Sequence, residues 1–146
     1  MEENLDLVKE MIVLCSYKTG EEEIAISGIR SICAYYGGQQ IYLPRHKLEN
    51  SEIAISLQGI LSDAVGEHFG NIILDELMLK FGGVQVYIPM ERRAFRREIA
   101  REVKERYDGT TETMRELCRE YGFSFTQMYR LWHQAGQDKI QRQFDF

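Results

Sequence analysis

The sequence predicts a mainly α-helical protein, with a helical core, two short β-strands forming a ribbon, and a C-terminal helix-turn-helix. Three observations predict this architecture. A strand-like frame, G-G-x-Q-[IV]-Y-[LI]-P, occurs twice, and each copy follows segments with helical periodicity. Two helix-capping signals surround a glycine-containing turn near the C-terminus. The composition, 44% hydrophobic and 28% charged, is that of an ordinary globular chain.

The repeated frame reads YYGGQQIYLPR at residues 35–45 and KFGGVQVYIPM at residues 80–90, so that corresponding positions are 45 residues apart. Each glycine pair should end a helix, at least one of Gly82 and Gly83 should need positive φ, and each proline should end the strand. The strand and linker residues that this pattern singles out are Gly37, Gly38, Gln40, Tyr42 and Pro44 in the first copy, and Gly82, Gly83, Gln85, Tyr87 and Pro89 in the second.

Two predicted helices precede each strand. Apolar residues recur with helical spacing in residues 4–18, 21–36, 52–65 and 67–81. The chain therefore contains two helix–helix–strand units, at about residues 5–45 and 50–90. Together they make a predicted N-terminal core of residues 1–90.

Each predicted strand needs a hydrogen-bonding partner for its backbone. We expect residues 40–43 to pair antiparallel with residues 85–88 in one chain, which would make residues 1–90 an internal pseudo-dimer. The alternation would then place Ile41, Leu43, Val86 and Ile88 against the helices, and the Gln and Tyr side chains on the other face. The competing arrangement is a homodimer in which strands pair between chains.

Residues 91–146 are predicted to form a second domain, which begins with a basic amphipathic helix at residues 91–107. Apolar residues recur every four positions from Phe95 to Tyr107, and Arg93, Arg97 and Arg101 form a parallel row. Such a row is typical either of a solvated helix face or of a phosphate-binding one. Twelve of the eighteen Lys and Arg residues lie in positions 90–146, although the net charge of the chain is −5. Local positive charge of this kind hints at nucleic-acid binding.

The stretch TETMRELCREYGFSFTQMYRLWHQA, residues 111–135, has the pattern of two helices joined by a short turn. Thr113 and Glu116 have capping-box spacing, which predicts that the first helix begins near Met114. Gly122 can adopt the left-handed conformation that ends a helix. The pattern favours a helix-turn-helix, and the alternative is an ordinary helical hairpin.

The second helix of this pattern is predicted to begin at Phe125, because Ser124 and Gln127 form another capping box. In a helix-turn-helix, the N-terminal half of this helix enters the DNA major groove. Gln and Arg can bond to base edges, and Ser and Tyr can donate to phosphates. The candidate DNA-binding residues of this helix are Ser124, Thr126, Gln127, Tyr129, Arg130 and His133.

Two motifs in a fixed order, GGVQVYIP and ELCREYGFSFTQMYR with a helix between them, resemble the Mor transcription activator family over about residues 67–135. The resemblance implies an N-terminal helical dimerisation region, a strand that pairs with its twin across the dimer axis, and a helix-turn-helix in the major groove. It also implies binding next to a promoter, recruitment of RNA polymerase, and a place for Gln85 and Tyr87 near the DNA. The chain departs from the family pattern because it carries two such strands.

Other classes of protein lack support in the sequence. His46, His68 and His133 have no metal-ligand spacing, and no nucleophile-and-base motif or phosphate-binding loop is present, so we expect neither an enzyme nor a cofactor. Three scattered cysteines, an acidic N-terminus and the lack of a long apolar run favour a cytoplasmic protein without a membrane span.

The sequence thus predicts a sequence-specific regulator of transcription that binds double-stranded DNA, with activation near a promoter as its expected action. The alternative is a non-catalytic assembly or adaptor protein that uses the duplicated strand unit to bind other proteins.

Overall fold

The computed structural model describes the backbone of residues 5–46 and 51–144, and the side chains of residues 6–46 and 51–135. The chain is mainly helical with one small antiparallel ribbon, as predicted. It divides into two compact units, Met1–Ala94 and Phe95–Phe146. Within the described residues, no helix is both long and apolar enough to cross a membrane.

The first unit repeats the order helix, helix, strand, and then ends in one short helix. Its elements are α1 (Leu5–Thr19), α2 (Glu22–Tyr36), β1 (Gln39–Leu43), α3 (Glu52–Val65), α4 (Glu67–Phe81), β2 (Val84–Ile88) and α5 (Glu91–Ala94). Ser51 caps α3, since its side chain accepts a hydrogen bond from the Ala54 N–H at 3.2 Å. The second helix of each repeat, α2 or α4, is 15 residues long and is followed directly by a glycine pair.

The two strands pair with each other in antiparallel fashion within one chain. Ile41 lies opposite Val86 at the centre of the ribbon, and both are buried together with Leu43 and Ile88. The predicted intrachain pairing and the predicted buried face of the ribbon are therefore confirmed.

The helical core repeats the same buried positions. The buried residues of α2 are Ala25, Gly28, Ile29, Ile32 and Cys33, and the positions 45 residues later in α4 are Gly70, Ile73, Leu74, Leu77 and Met78, all buried. Val8, Met11 and Cys15 of α1 likewise correspond to Ala54, Leu57 and Leu61 of α3, 46 residues later. The offset changes by one because residues 20–21 join α1 to α2, whereas Gly66 alone joins α3 to α4. The repeat is thus one of packing as well as of the strand.

Equivalent glycines close both ends of the ribbon. Gly38 and Gly83 have φ of 83° and 91°, and the second value confirms the positive φ predicted for the Gly82–Gly83 pair. The Gly38 N–H donates to the Ile88 carbonyl and the Gly83 N–H donates to the Leu43 carbonyl, each at 2.7 Å. A Cβ on Gly82 would lie 2.6 Å from the Pro44 carbonyl oxygen, so this position has no room for a side chain.

The second unit consists of three helices, α6 (Arg96–Arg106), α7 (Thr111–Tyr121) and α8 (Phe125–Phe144). Its core contains Ile99, Ala100, Val103, Met114, Leu117, Cys118, Met128 and Leu131. Every one of the three helices contributes to this core, which holds α7 and α8 in a fixed arrangement.

The predicted single helix at residues 91–107 is wrong, because the helix is interrupted at Phe95. This residue has φ of −117° and ψ of 33°, is fully buried, and separates α5 from α6. Burying a phenylalanine side chain contributes about 1.5–3 kcal/mol, more than a typical hydrogen bond lost at a helix break. As a result, Arg93 lies in α5 of the first unit, whereas Arg97 and Arg101 lie in α6 of the second.

The predicted start of α7 is also wrong. The N-cap is Thr110, whose hydroxyl oxygen accepts a hydrogen bond from the Thr113 N–H at 3.2 Å. Asp108 holds Thr110 in place, since its carboxylate accepts from the Thr110 N–H at 2.9 Å and from the Thr110 hydroxyl at 2.7 Å. Thr113 therefore lies inside the first turn of α7 and does not cap it.

Candidate nucleic-acid interface

The connection between α7 and α8 is a three-residue turn, Gly122 to Ser124. Gly122 has φ of 74° and ψ of 29°, a left-handed conformation that glycine adopts without strain. The N–H groups of Gly122 and Phe123 both donate to the Cys118 carbonyl, at 2.9 Å and 3.1 Å. These bonds satisfy an otherwise unpaired carbonyl at the end of α7 and turn the chain sharply into α8.

The predicted capping box at the start of α8 is confirmed. The Gln127 N–H donates to the Ser124 hydroxyl oxygen at 3.2 Å, and the Ser124 N–H donates to Oε1 of Gln127 at 3.0 Å. The same bonds restrict the Gln127 side chain, because its amide oxygen is held against the Ser124 backbone. Its amide nitrogen remains as a donor.

The N-terminal half of α8 has one apolar and one polar face. Met128 and Leu131 are fully buried in the core of the second unit, and Trp132 and Ala135 pack at its edge. The exposed polar side chains on the remaining surface are Ser124, Thr126, Gln127, Arg130, His133 and Gln134. Helical spacing places these two sets on different sides, so the buried residues orient the polar ones towards solvent.

Tyr129 differs from the other predicted site residues of α8 because it is half-buried. Its ring packs edge-on against Tyr107 with 6.1 Å between centroids, and a hydrogen bond with Tyr129 raises the pKa of Tyr107. Trp132 also stacks on Tyr107, with 5.4 Å between the ring centroids. Tyr129 therefore helps to join α8 to the end of α6, which limits its freedom to contact a ligand.

Arg97 and Arg101 lie one turn apart on the solvent side of α6, opposite Ile99 and Val103. Arg106, near the end of the same helix, is engaged differently. Its guanidinium forms an ion pair with Glu120 at 2.7 Å and donates to the Tyr121 hydroxyl at 3.3 Å. Arg97 and Arg101 are exposed, as are Arg96 and Lys104 of the same helix.

The remaining predicted site residues, Gln85, Tyr87 and Arg93, belong to the first unit. Gln85 and Tyr87 lie on the outer face of the ribbon, opposite Tyr42 and Gln40 respectively. Gln40, Tyr42 and Gln85 are exposed and Tyr87 is half-buried. Because the pattern Gln-x-Tyr occurs once on each antiparallel strand, this outer face has the same local twofold symmetry as the ribbon.

Three residues of the second unit were missed by the sequence analysis. Phe125 opens α8 and is 40% exposed, which is unusual for a large aromatic side chain. Arg115 and Arg119 are exposed on α7, away from the buried Met114 and Leu117. The helical spacing that identified the buried residues also predicts this exposed pair, so the signal was present in the sequence.

The identity of the protein follows from the C-terminal two thirds of the chain. Residues 46–145 match the sequence model of the Mor transcription activator family. The chain belongs to the Mor transcription activator family. Comparison with curated proteins and with solved structures gave no match.

The Mor family match places the protein among transcription regulators, which are not enzymes. It includes α3, α4 and β2 as well as the three helices of the second unit. It does not include α1, α2 or β1, the first of the two repeats. Within the described residues, no group of three or more His, Cys, Asp and Glu side chains is arranged to hold a metal ion.

Proposed function

We propose that this member of the Mor family is a sequence-specific regulator of transcription that binds double-stranded DNA near a promoter. The second unit is the DNA-binding domain, α7 and α8 form a helix-turn-helix, and α8 is the recognition helix. One observation carries the proposal. The capped N-terminal half of α8 is anchored by Met128 and Leu131 and presents polar side chains to solvent.

Within α8, Arg130 is the strongest candidate for reading a base. It is exposed, and an Arg guanidinium can bond bidentately to O6 and N7 of guanine. The Oε1 of Gln127 accepts from the Ser124 N–H and has a second lone pair, and its amide nitrogen can donate to a base. Thr126 and His133 are also exposed on α8, and we include them with Arg130 and Gln127 among the residues proposed to contact bases.

Phosphate contacts would position this helix on the duplex. The Ser124 hydroxyl accepts from Gln127 and keeps its own hydrogen for a phosphate oxygen. Arg97 and Arg101 supply positive charge from α6, and Arg115 and Arg119 supply it from α7, the helix that crosses the DNA backbone in this motif. Gln85 and Tyr87 on the ribbon, and Arg93 on α5, are proposed as further DNA contacts from the first unit.

The family assignment favours activation over repression. RNA polymerase is the protein partner that we propose for such an activator. The alternative, a non-catalytic assembly or adaptor protein, required strands that pair with strands of other chains. Because β1 and β2 pair with each other in one chain, this alternative loses its main support.

Selection from a pool of random duplexes with the full chain tests the proposal. We expect one enriched sequence, bound at least about 10³-fold more tightly than random duplex at physiological salt. Binding should weaken steeply as salt rises, since phosphate contacts release counterions. A pool that shows no enrichment, or affinity that does not respond to salt, would contradict the proposed function.

A further inference from the structure

The family match and the internal repeat together give a simple division of the chain. Residues 46–145 contain one helix–helix–strand repeat and the second unit, which is all that the family model covers. The described part of residues 1–45 contains the other repeat, α1, α2 and β1. The first repeat lies outside the family match and supplies a partner for the second repeat, and its described residues contain no second DNA-binding unit.

The ribbon shows which position the added repeat fills. Ile41 and Val86 correspond to each other at the 45-residue offset and also lie opposite each other. The flanking bonds, from Gly38 to Ile88 and from Gly83 to Leu43, are equivalent in the same way. Strand β1 thus occupies the position that β2 of a second chain would take in a symmetric dimer.

A second contact shows that the two repeats are complementary and not interchangeable. Gly28 of α2 and Ile73 of α4 are equivalent positions, and a Cβ on Gly28 would lie 2.7 Å from Cδ1 of Ile73. In a symmetric dimer of the second repeat, one isoleucine would meet another at this point. The absence of a side chain at Gly28 makes room for Ile73, so the helical core favours a first repeat paired with a second one.

The two ends of the ribbon also lead to different structures. After Pro89 the chain forms α5, where Glu91 makes an ion pair with Arg30 at 2.7 Å, and it continues into the DNA-binding unit. After Pro44 the chain leads to α3. The positions equivalent to Arg30 and Glu91 are Asp75 and His46, so this ion pair is not repeated with the same residues. One core therefore carries one recognition helix.

We propose that the protein binds DNA as a monomer, and that its target is one asymmetric site without an inverted repeat. The part of this inference that concerns DNA rests on the proposed function. An inverted repeat is read by two recognition helices related by a twofold axis, with half-sites about 10 base pairs apart. A core made by one chain presents only one such helix, so a second half-site has nothing to bind.

Cysteine pairs introduced on the outer face of the ribbon test the intrachain core in the full chain. Gln40→Cys with Tyr87→Cys places two cysteines on directly opposite residues. The Cα atoms of such residues in an antiparallel pair are about 4.5–5.5 Å apart, within disulfide range. Mild oxidation is expected to produce a disulfide-bonded monomer, measured by mass spectrometry and non-reducing electrophoresis. A covalent dimer as the main product would overturn the proposal.

Gln85→Cys with Tyr87→Cys is the matched control. In a symmetric dimer with β2 paired to β2, residue 85 of one chain would lie opposite residue 87 of the other, and oxidation would link the chains twice. In a one-chain core we expect no covalent dimer. The native thiols should interfere little, because burial raises the pKa of Cys15 and of Cys33 to about 12 and raises that of Cys118.

The target is tested with the duplex that the full chain selects from a random pool. Sedimentation of the complex is expected to give one 17.1 kDa chain per duplex, with a binding curve that shows no cooperativity and a consensus without twofold symmetry. Two chains bound cooperatively to an inverted repeat would overturn the inference while supporting the proposed function. If no duplex is selected, the proposed function and the asymmetric target both fail, and the cysteine pairs still decide whether one chain forms the core.

Discussion

Ile41 and Val86 are directly opposite each other at the centre of the ribbon, and they occupy the same position in two repeats of one chain. A local twofold axis therefore passes between them. The pairs on either side, Gln40 with Tyr87 and Tyr42 with Gln85, are related by that axis. The protein thus builds within one chain a symmetric ribbon of the kind that two identical chains would form.

The glycines at the ends of the ribbon should differ in their tolerance to substitution. Gly82→Ala would push a Cβ into the backbone at Pro44 and Arg45, so we expect a loss of at least about 2 kcal/mol in the free energy of unfolding. Gly83→Ala would meet only the movable side chain of Arg45 but would have to adopt φ of 91°, which costs about 1–2 kcal/mol. Chemical denaturation of each variant gives the comparison.

Gly59 provides the matched control for these variants. It lies within α3, and a Cβ there would have no heavy atom within 4 Å. Gly59→Ala is expected to stabilise the protein by about 0.5–1 kcal/mol, because alanine favours the helix. If Gly82→Ala does not lower the free energy of unfolding relative to Gly59→Ala, the predicted clash with the backbone at the end of the ribbon is wrong.

Arg130→Ala and Gln127→Ala should have separable effects. Arg130 is exposed and is not needed for the cap, so its loss should reduce binding to the selected duplex by about 1–3 kcal/mol and leave the unfolding free energy unchanged. Gln127→Ala removes half of a capping box and should lower stability by up to about 1 kcal/mol as well as weakening binding. Fluorescence anisotropy and thermal unfolding measure the two quantities. Unchanged specific binding in both variants would exclude α8 as the recognition helix.

The basic residues of α6 should act on all DNA sequences alike. Each of Arg97→Ala and Arg101→Ala is expected to reduce the slope of log K against log salt by about one, on selected and random duplex equally. Arg106→Ala is the matched control from the same helix, because its guanidinium is bound by Glu120 and Tyr121. The Arg106→Ala substitution should alter the stability of the protein and leave the slope of log K against log salt unchanged. A slope that falls equally in all three variants would contradict this assignment of the phosphate contacts.

The N-terminus of α7 should contribute to the pH dependence of stability. Hydrogen bonds from Thr110 lower the pKa of Asp108 below its ordinary value of 3.8. A lowered carboxyl pKa stabilises the folded state above the unfolded pKa, and this contribution is lost as pH falls through the folded pKa. Asp108→Asn should therefore show less loss of stability than the wild type below about pH 4. Fluorescence of Trp132, the one tryptophan of the chain, reports unfolding of the second unit. Identical acid profiles would show that Asp108 does not contribute.

The local elements of the fold were readable from the sequence. The repeated strand frame, the helices before each strand and the Ser124–Gln127 capping box all depend on residues within about one or two turns of each other, and such short-range signals are visible in a linear chain. The exposed face of α8 follows from the same spacing, since the buried Met128 and Leu131 define the opposite side. Alternation and the need for a backbone partner also predicted the buried face of the ribbon.

Two local predictions failed because competing contacts decided between similar signals. Thr110 and Thr113 can both begin a helix, and the hydrogen bonds from Thr110 to Asp108 favour Thr110. The helical periodicity of residues 91–107 continues through Phe95, but that residue is fully buried with a non-helical backbone. Neither outcome follows from periodicity, because each depends on how much surface is buried or how many polar groups are satisfied.

The sequence by itself determined that the protein has two helix–helix–strand repeats and a capped C-terminal helix pair, because these features are encoded by neighbouring residues. The ribbon was predicted because each strand needs a backbone partner. Only the tertiary structure decided which residues face each other across the repeat. The central pair Ile41 and Val86 and the fit of Ile73 against Gly28 join residues 45 positions apart. Such contacts depend on register and on the shapes of packed side chains, so they are settled when the two repeats fold against each other.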